Sequence, residues 1–228
     1  MRILADFSGD PTLAKAYLTK DDDGNDLDVH RYTASVVFDV SYKEVTKSQR
    51  RVCKTLNFML VYGGGAQKLS ETLEISQDEA QQIIDDYFKR YPGIKRALDR
   101  WANEALNNGM GTSISGRRRY MVLPPQDHPD FTKIKASIKR KGQNNKIQSS
   151  AADVTKRGMV NVRRAIRENG WDARILMVVH DEIVLEVRAD QAEECARVVE
   201  REMISGFTHY FKKIPMRVDA HVSDCWAK

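Results

Sequence analysis

The 228-residue chain contains 41% hydrophobic residues at a mean hydropathy of −0.54, which is enough apolar surface to bury a core in one large or two small domains. It has no apolar run of the roughly 18 residues that a membrane span requires, so we expect a soluble protein with no membrane partner. Its three cysteines, Cys53, Cys195 and Cys225, are odd in number and far apart, which argues against a disulfide scaffold or a zinc site and favours a reducing cytoplasm.

The net charge of +5 is unevenly distributed. Between Arg117 and Arg167 there are fourteen Lys or Arg and three acids, so the rest of the chain is net acidic. A concentrated basic tract of this kind is typical of proteins that bind a phosphate backbone. A solvated basic helix face gives the same pattern, and charge alone leaves both interpretations open.

The first half of the chain is predicted to be helical. An exposed acidic loop at 21–26 separates two helical stretches. A helix over 46–62 ends at three consecutive glycines. Ser76 and Glu79 form the capping box that opens the next helix, which continues to about Arg90.

The pattern then alternates between helix and loop before it changes period. We expect a helix over 94–106, a proline-containing loop over 121–131, and two helices over 131–142 and 148–168.

The last part of the chain is predicted to contain strands. Two β-branched runs, 173–179 and 183–187, flank three polar residues and indicate a hairpin, followed by a helix over 189–210 and a strand over 216–222. The predicted fold class is α+β, mostly helical with a small antiparallel sheet near the C-terminus.

The helix over 46–62 carries a stripe of chemically distinctive side chains. Arg50, Lys54, Phe58 and Tyr62 recur every fourth residue and therefore share one face. A separate apolar arc can pack inward, so the core does not need the two rings; it consists of Val52, Cys53, Leu56, Met59 and Leu60. Two cations and two aromatic rings suit a nucleotide, although an ordinary amphipathic helix would show the same spacing.

Residues 50–63, which read RRVCKTLNFMLVYG, resemble motif B of the family A DNA polymerases, the bacterial polymerase I type. The resemblance implies a fingers helix that holds the incoming deoxynucleoside triphosphate. In that family the residues matching Arg50 and Lys54 contact the triphosphate, and Lys54 is a candidate general acid. The ring matching Phe58 lies against sugar and base, and the one matching Tyr62 lies beside the templating position.

Further segments are similar to the same family in the same order. The run 28–35 resembles the segment whose histidine, here His30, touches the triphosphate. Arg117 and Arg118 belong to a G-R-R-R-Y turn, and Asn144 and Gln148 match amides that face the primer-template. The resemblance thus makes the basic tract the DNA-facing palm.

The helix start after this turn departs from the family pattern at two positions. Lys146 stands where the family has proline, and Ser149 where it has glycine. We therefore expect the entry into this helix to differ in detail.

Val179, His180, Asp181 and Glu182 match motif C, with the acids at the bend of the predicted hairpin. The resemblance implies that Asp181 is a metal ligand, Glu182 a neighbouring active-site acid and His180 a contact to DNA. Nucleotidyl transfer in the general scheme uses two Mg²⁺ ions held by carboxylates from separate strands.

The second carboxylate, from motif A, can be placed in two ways. Asp6 supplies it in one register, but Pro11 then occupies the position of the family's sugar-discriminating glutamate. The other register aligns residues 2–13 with the helix that follows motif A, and we favour it. The motif A aspartate then lies upstream of Met1, and the chain alone is expected to be inactive.

The resemblance covers the chain as all of the fingers and most of the palm. We expect residues 1–36 to hold a palm helix and the start of the fingers, 37–110 the fingers, and 111–228 the palm with the DNA-facing tract and motif C hairpin. The implied activity is DNA-directed DNA synthesis in a bacterial cytoplasm, at the nucleoid or during phage infection. The implied partners are primer-template DNA, deoxynucleoside triphosphates and an N-terminal polymerase piece that carries the missing aspartate and the thumb.

Two alternatives remain. A non-catalytic DNA-binding or assembly subunit would keep the basic tract without turnover. A single-subunit RNA polymerase has a related helix and palm, but Glu182 after His-Asp and the N-F-x-x-x-Y-G ending favour the DNA enzyme.

Overall fold

Nine α-helices and four short strands make up most of residues 1–226, the part of the chain that this computed structural model describes. The elements in chain order are α1 (Arg2–Ser8), α2 (Pro11–Leu18), α3 (Val29–Phe38), α4 (Lys47–Val61), α5 (Ala66–Leu73), α6 (Gln77–Arg90), α7 (Pro92–Asn108), β1 (Met110–Thr112), β2 (Arg118–Tyr120), α8 (Phe131–Glu168), β3 (Ala173–Val179), β4 (Glu182–Val187), a 3₁₀ turn (Ala189–Gln191) and α9 (Ala192–Tyr210). The strands form two antiparallel pairs, β1 with β2 and β3 with β4. The predicted fold class, α+β and mostly helical, is confirmed.

The chain divides into two compact units, Met1–Gln148 and Ser149–Lys228. Helix α8 contributes residues 131–148 to the first and 149–168 to the second. No helix among residues 1–226 combines the length and the apolar character needed to cross a membrane.

The first unit is built around α4, α6 and α7. Leu56 of α4 and Ile94 of α7 are completely buried, and the buried rings of Tyr87 and Tyr91 pack with their centroids 4.8 Å apart. This apolar centre fixes α4 by one face and leaves Lys54, Phe58 and Tyr62 exposed on another.

Asp10 joins the start of two helices in this unit although its side chain is completely buried. Its Oδ1 accepts from the backbone N–H of Thr12 and Leu13 at the start of α2. Its Oδ2 accepts from the N–H of Gly93 at 2.7 Å and of Ile94 at 3.3 Å, at the start of α7. Four otherwise unpaired donors thus share one carboxylate, whose charge also suits two helix N-termini.

The predicted limits of α4 are confirmed. Thr46 and Gln49 form a capping box at its start. Two features require glycine at position 63, where the helix ends. Gly63 has a φ of 74°, and a Cβ there would lie 2.8 Å from Cγ of Arg140.

The prediction of two helices over 131–142 and 148–168 is wrong, because α8 runs without a break from Phe131 to Glu168. Residues 143–147 contain no proline, so every backbone N–H there can continue the helix. The helix continues through Gly142 because its packing on α7 leaves no room for a side chain. A Cβ at this position would lie 2.4 Å from Cβ of Ala105 and 2.9 Å from the carbonyl oxygen of Trp101. Lys146, which replaces the family's proline, places its Nζ 5.2 Å from the centre of the Phe7 ring.

In the second unit, the β3–β4 hairpin packs on α8 and α9. The predicted hairpin forms, but Val179 pairs with Glu182, so the turn consists of His180 and Asp181 alone, and Glu182, expected within the bend, begins β4. The core includes Val162 and Ile166 of α8 and Cys195, Val199 and Met203 of α9.

Two short elements differ from the prediction. The expected strand over 216–222 does not form, since Val218 packs on the core while the N–H of Ala220 donates to Oε1 of Glu200 instead of to a strand. Strands β1 and β2 were not predicted, because three residues are too few to show a period.

Candidate functional site

The outward face of α4 carries the predicted stripe. Phe58 is 40% exposed and Tyr62 is 49% exposed, Lys54 is exposed, and Arg50 is half-buried. The predicted apolar arc lies inward: Cys53, Leu56, Met59 and Leu60 are buried and Val52 is half-buried. Large aromatic side chains left in solvent are informative, because burial of either ring would stabilise the fold.

Helix α3 places His30 beside this stripe. The imidazole and the Phe58 ring lie with centroids 5.4 Å apart and planes tilted by 50°. Four of the predicted nucleotide contacts, His30, Arg50, Lys54 and Phe58, therefore come from two packed helices of one unit.

Asp28 connects the two helices. Its Oδ1 caps α3 by accepting from the backbone N–H of His30 and Arg31. Its Oδ2 accepts from Nε of Arg50 at 3.2 Å and from Nη2 at 2.6 Å. Burial raises the pKa of Asp28, but the hydrogen bond from Arg50 and the helix start outweigh it, so the net shift of the pKa is downward.

Arg50 retains donors for a ligand. Asp28 engages Nε and one Nη2 hydrogen of a guanidinium that has five N–H groups, and the same contact raises the pKa of Arg50. Within the described residues, no hydrogen bond or ion pair engages Nζ of Lys54.

The surroundings of His30 favour its neutral form. Burial lowers its pKa, Asp28 raises it, and the positive charges of Arg50, Lys54 and the chain's terminal amino group lower it further. On its inner side, Nδ1 lies 3.1 Å from Nδ2 of the buried Asn57.

Asp28 and Asn57 were not singled out from the sequence. Both lie within the segments that carry the family resemblance, and the available signal for Asn57 was a polar residue on the apolar side of an amphipathic helix.

The predicted DNA contacts of the first unit lie on the β1–β2 hairpin and α8. Arg117 and Arg118 are exposed, at the turn where Gly116 has a φ of 86°. Asn144 is half-buried and Gln148 exposed on α8. Lys133, Lys135, Lys139, Arg140 and Lys141, all exposed, lie on the same helix.

The predicted acids of the second unit lie at the β3–β4 turn. Asp181 and Glu182 are exposed, and Oε1 of Glu182 accepts from Nε1 of Trp226 at 3.1 Å. His180 has a φ of 57°, a left-handed backbone conformation that two-residue hairpin turns require and that only a few non-glycine residues adopt.

These acids fit part of a magnesium site. Mg²⁺ is commonly held by one or two carboxylates together with substrate phosphates and water, and Asp181 and Glu182 are adjacent carboxylates at the β3–β4 turn. Within residues 1–226 there is no group of three or more His, Cys, Asp or Glu that could hold a metal ion.

Asp6 lies in α1, within the helix Arg2–Ser8, and not on a strand. This agrees with the register that aligns residues 2–13 with the helix after motif A.

Comparison with known proteins identifies the family. The sequence profile of DNA polymerase family A matches residues 1–228. The chain belongs to this family. The relatives of this family A chain include DNA polymerase I of Bacillus caldotenax, 35% identical over 226 residues, and that of Pseudomonas aeruginosa, 38% identical over 229 residues. These alignments cover 99% and 98% of the chain and 24% of each relative, so the chain spans about a quarter of their length.

A solved structure agrees with the family assignment. The polymerase domain of Pol1 from M. smegmatis, in complex with DNA primer-template and dNTP, matches with a TM-score of 0.81 and 34% identity. The match covers 94% of this chain and 36% of that one. The family A chain therefore shares the fold of part of a polymerase domain.

Proposed function

We propose that the chain carries out template-directed DNA synthesis as the C-terminal portion of a polymerase catalytic domain. The observation that carries the proposal is the outward face of α4, where exposed aromatic rings continue a row of cations next to His30 of α3. The M. smegmatis polymerase domain, which is similar over 94% of this chain, was solved with primer-template and dNTP.

In this proposal the cationic part of the α4 face binds the triphosphate. Arg50 donates to phosphate oxygens from the N–H groups that Asp28 leaves free, and His30 adds a donor from α3. Lys54 neutralises charge on the departing pyrophosphate. Its Nζ carries a proton that can be transferred to the leaving oxygen of the pyrophosphate.

The aromatic part of the face positions the base. Phe58 lies against sugar and base, and Tyr62, at the C-terminal end of α4, lies beside the templating position. Stacking on such rings tolerates any base, as a template-directed enzyme requires.

Asp181, with Glu182 as its neighbour, would hold Mg²⁺ at the hairpin turn. Mg²⁺ held there would supply positive charge against the α-phosphate and would favour ionisation of the primer hydroxyl. The hydrogen bond from Trp226 fixes one oxygen of Glu182 and leaves the other available.

DNA is proposed to contact the basic tract. Arg117 and Arg118 would bind backbone phosphates, while Asn144, Gln148 and His180 would meet the primer-template duplex. In this division residues 1–36 supply a palm helix and the start of the fingers, 37–110 form the fingers, and 111–228 form the palm.

An N-terminal polymerase piece is the proposed partner, carrying the motif A aspartate and the thumb. Strand β3 leaves Leu176 54% exposed and Val178 43% exposed, on a sheet of only two strands. An apolar strand of this kind is a template for further pairing. We propose that the assembly works in the bacterial cytoplasm, either at the nucleoid or during phage infection.

Primer extension tests the proposal. The purified chain, labelled primer-template, Mg²⁺ and deoxynucleotides are incubated with and without a separately expressed N-terminal polymerase piece. We expect no extension by the chain alone, extension after the piece is added, and loss of that extension with Asp181→Ala.

Other outcomes distinguish the alternatives. Extension by the chain alone that Asp181→Ala abolishes would mean that Asp6 or another local acid completes the metal site. Salt-sensitive DNA binding with no extension in either arm would favour a non-catalytic DNA-binding subunit. Incorporation of ribonucleotides in place of deoxynucleotides would favour an RNA polymerase.

A further inference from the structure

A buried amide lies directly behind the nucleotide face. Asn57 is on α4 between Leu56 and Phe58, and its side chain has no exposed surface. Its Nδ2 lies 3.0 Å from Oγ1 of Thr33 and 3.1 Å from Nδ1 of His30. Its Oδ1 accepts from the hydroxyl of Tyr87 at 3.1 Å.

The neighbours determine which end of the amide faces α3. The hydroxyl of Thr33 donates its single proton to the carbonyl oxygen of Val29 at 2.7 Å, so towards Asn57 it can only accept. On the other side Tyr87 is buried, and burial raises its pKa well above the usual range, so it stays a phenol that can donate. The NH₂ group therefore faces Thr33 and His30, and the carbonyl faces Tyr87.

This orientation determines the protonation of His30. An amide nitrogen cannot accept a hydrogen bond, so Nδ1 of His30 must accept from Nδ2 of Asn57 and carry no proton. The neutral ring then has its proton on Nε2.

We infer that Asn57 is a positioning residue that holds His30 as the Nε2–H tautomer and so presents a fixed, uncharged donor to the polyphosphate. The inference rests on the proposed nucleotide-binding function for the role of that donor, but the tautomer itself follows from the buried contacts alone. Protonation of Nδ1 would break the bond to Asn57, because two N–H donors would then face each other across 3.1 Å.

The surrounding charges agree with a neutral ring. Asp28, at the start of α3, favours the imidazolium, while Arg50 and Lys54 on α4 and the terminal amino group disfavour it. Burial also disfavours the imidazolium, and the net effect of burial and these charges is a lowered pKa of His30.

The tautomer is tested by long-range ¹H–¹⁵N NMR of the ¹⁵N-labelled chain at pH 7.5. In the wild type we expect a pyridine-type shift at Nδ1 of His30 and a pyrrole-type shift at Nε2. A pyrrole-type Nδ1 would overturn the inference without any variant being needed.

Asn57→Asp tests the cause. The shape is kept but the donor becomes an acceptor, so Nδ1 should become protonated and the pKa of His30 should rise. Asn161→Asp, at another buried asparagine, which donates to the carbonyl oxygen of Glu202, is the matched control and should leave the His30 spectrum unchanged. An unchanged Nδ1 shift in folded Asn57→Asp would contradict the inference.

Triphosphate binding separates this inference from the proposed function. With dTTP as the probe, His30→Ala should weaken binding about ten-fold or more, the loss expected for one hydrogen bond to a charged group. His30→Gln, whose side-chain Nε2 can donate from the same place, should stay within about three-fold of the wild type. If His30→Ala binds dTTP as tightly as the wild type while the NMR shifts are as expected, the nucleotide-binding role of His30 is wrong and the tautomer assignment is kept. If His30→Gln loses as much dTTP affinity as His30→Ala, a fixed Nε2 donor does not explain the role of His30.

Discussion

At the scale of single residues, the candidate site depends on a carboxylate that serves two groups at once. Asp28 caps α3, which carries His30, and also holds the guanidinium of Arg50 on α4. The same side chain therefore sets the position of two proposed triphosphate ligands. It also places a negative charge next to the site where a polyanion is expected.

Asp28→Asn should separate these effects. Asparagine caps a helix as well as aspartate does, so stability should change little. Removal of one negative charge and release of Arg50 should tighten dTTP binding about two- to five-fold, the size expected for one partly solvated charge. Equilibrium titration at fixed salt measures this, with Arg50→Gln as the opposite control. Weaker binding by Asp28→Asn would mean that its hold on Arg50 outweighs its charge.

His30 gives stability a predictable dependence on pH. Its folded-state pKa is lowered, so the unfolded chain takes up the proton first as the pH falls. The stabilising contribution of the neutral ring is present above about pH 6.5 and is lost as the pH falls towards the folded-state value. Urea unfolding at pH 7.5, 6.5 and 5.5 should show the wild type losing more stability than His30→Gln. An equal or smaller loss would contradict the lowered pKa.

At the scale of helices and strands, local sequence signals predicted the limits of helices but not features that depend on long-range contacts. The capping pair Ser76 and Glu79 and the glycines after α4 predicted helix limits that the structure has. The continuity of α8 could not be predicted, because Gly142 is favourable there only through its contact with Trp101 and Ala105 of α7. Likewise, the 216–222 run has strand-like residues, but its contacts are those of Val218 with the core and of the Ala220 N–H with Glu200, and these are long-range contacts that local sequence does not encode.

Asp10 leads to a prediction about helix capping. Because its two oxygens each accept from a different helix start, Asp10→Asn should be almost as damaging as Asp10→Ala: the new NH₂ group would face the N–H of Gly93 or of Thr12. We expect a loss of roughly 2–4 kcal/mol for either variant in chemical denaturation. At Asp28 the same Asp→Asn change should cost less, because its second oxygen accepts from the partly exposed side chain of Arg50, which can move away, and not from a second helix start. A mild Asp10→Asn would show that one helix start does not depend on the carboxylate.

At the scale of the whole molecule, charge and motif order were visible in the sequence, whereas the contacts between motifs were not. The His30 segment, 28–35, and motif B, 50–63, are separated by fourteen residues, and only packing of α3 on α4 shows that Asn57 and Asp28 link them. The basic tract was evident from counting alone, and the structure leaves most of its Lys and Arg side chains exposed. Exposure is what allows a tract of this kind to exchange counterions for DNA phosphates.

The tract should therefore dominate the salt dependence of DNA binding. Each phosphate contact adds nearly one unit to the slope of log K against log salt, so the triple variant Arg117→Gln, Arg118→Gln and Arg119→Gln should lower the slope by up to about three units. The matched control removes three exposed cations outside the tract, Lys68, Lys95 and Arg100, each of which lies beside an acid on its own helix. Both triple variants lower the net charge by the same amount. Fluorescence anisotropy on one primer-template, between 50 and about 200 mM salt, therefore compares the effect of where the cations are removed at equal net charge. Equal slopes for the two triples would mean that the chain attracts DNA by its net charge and that the tract is an ordinary solvated surface.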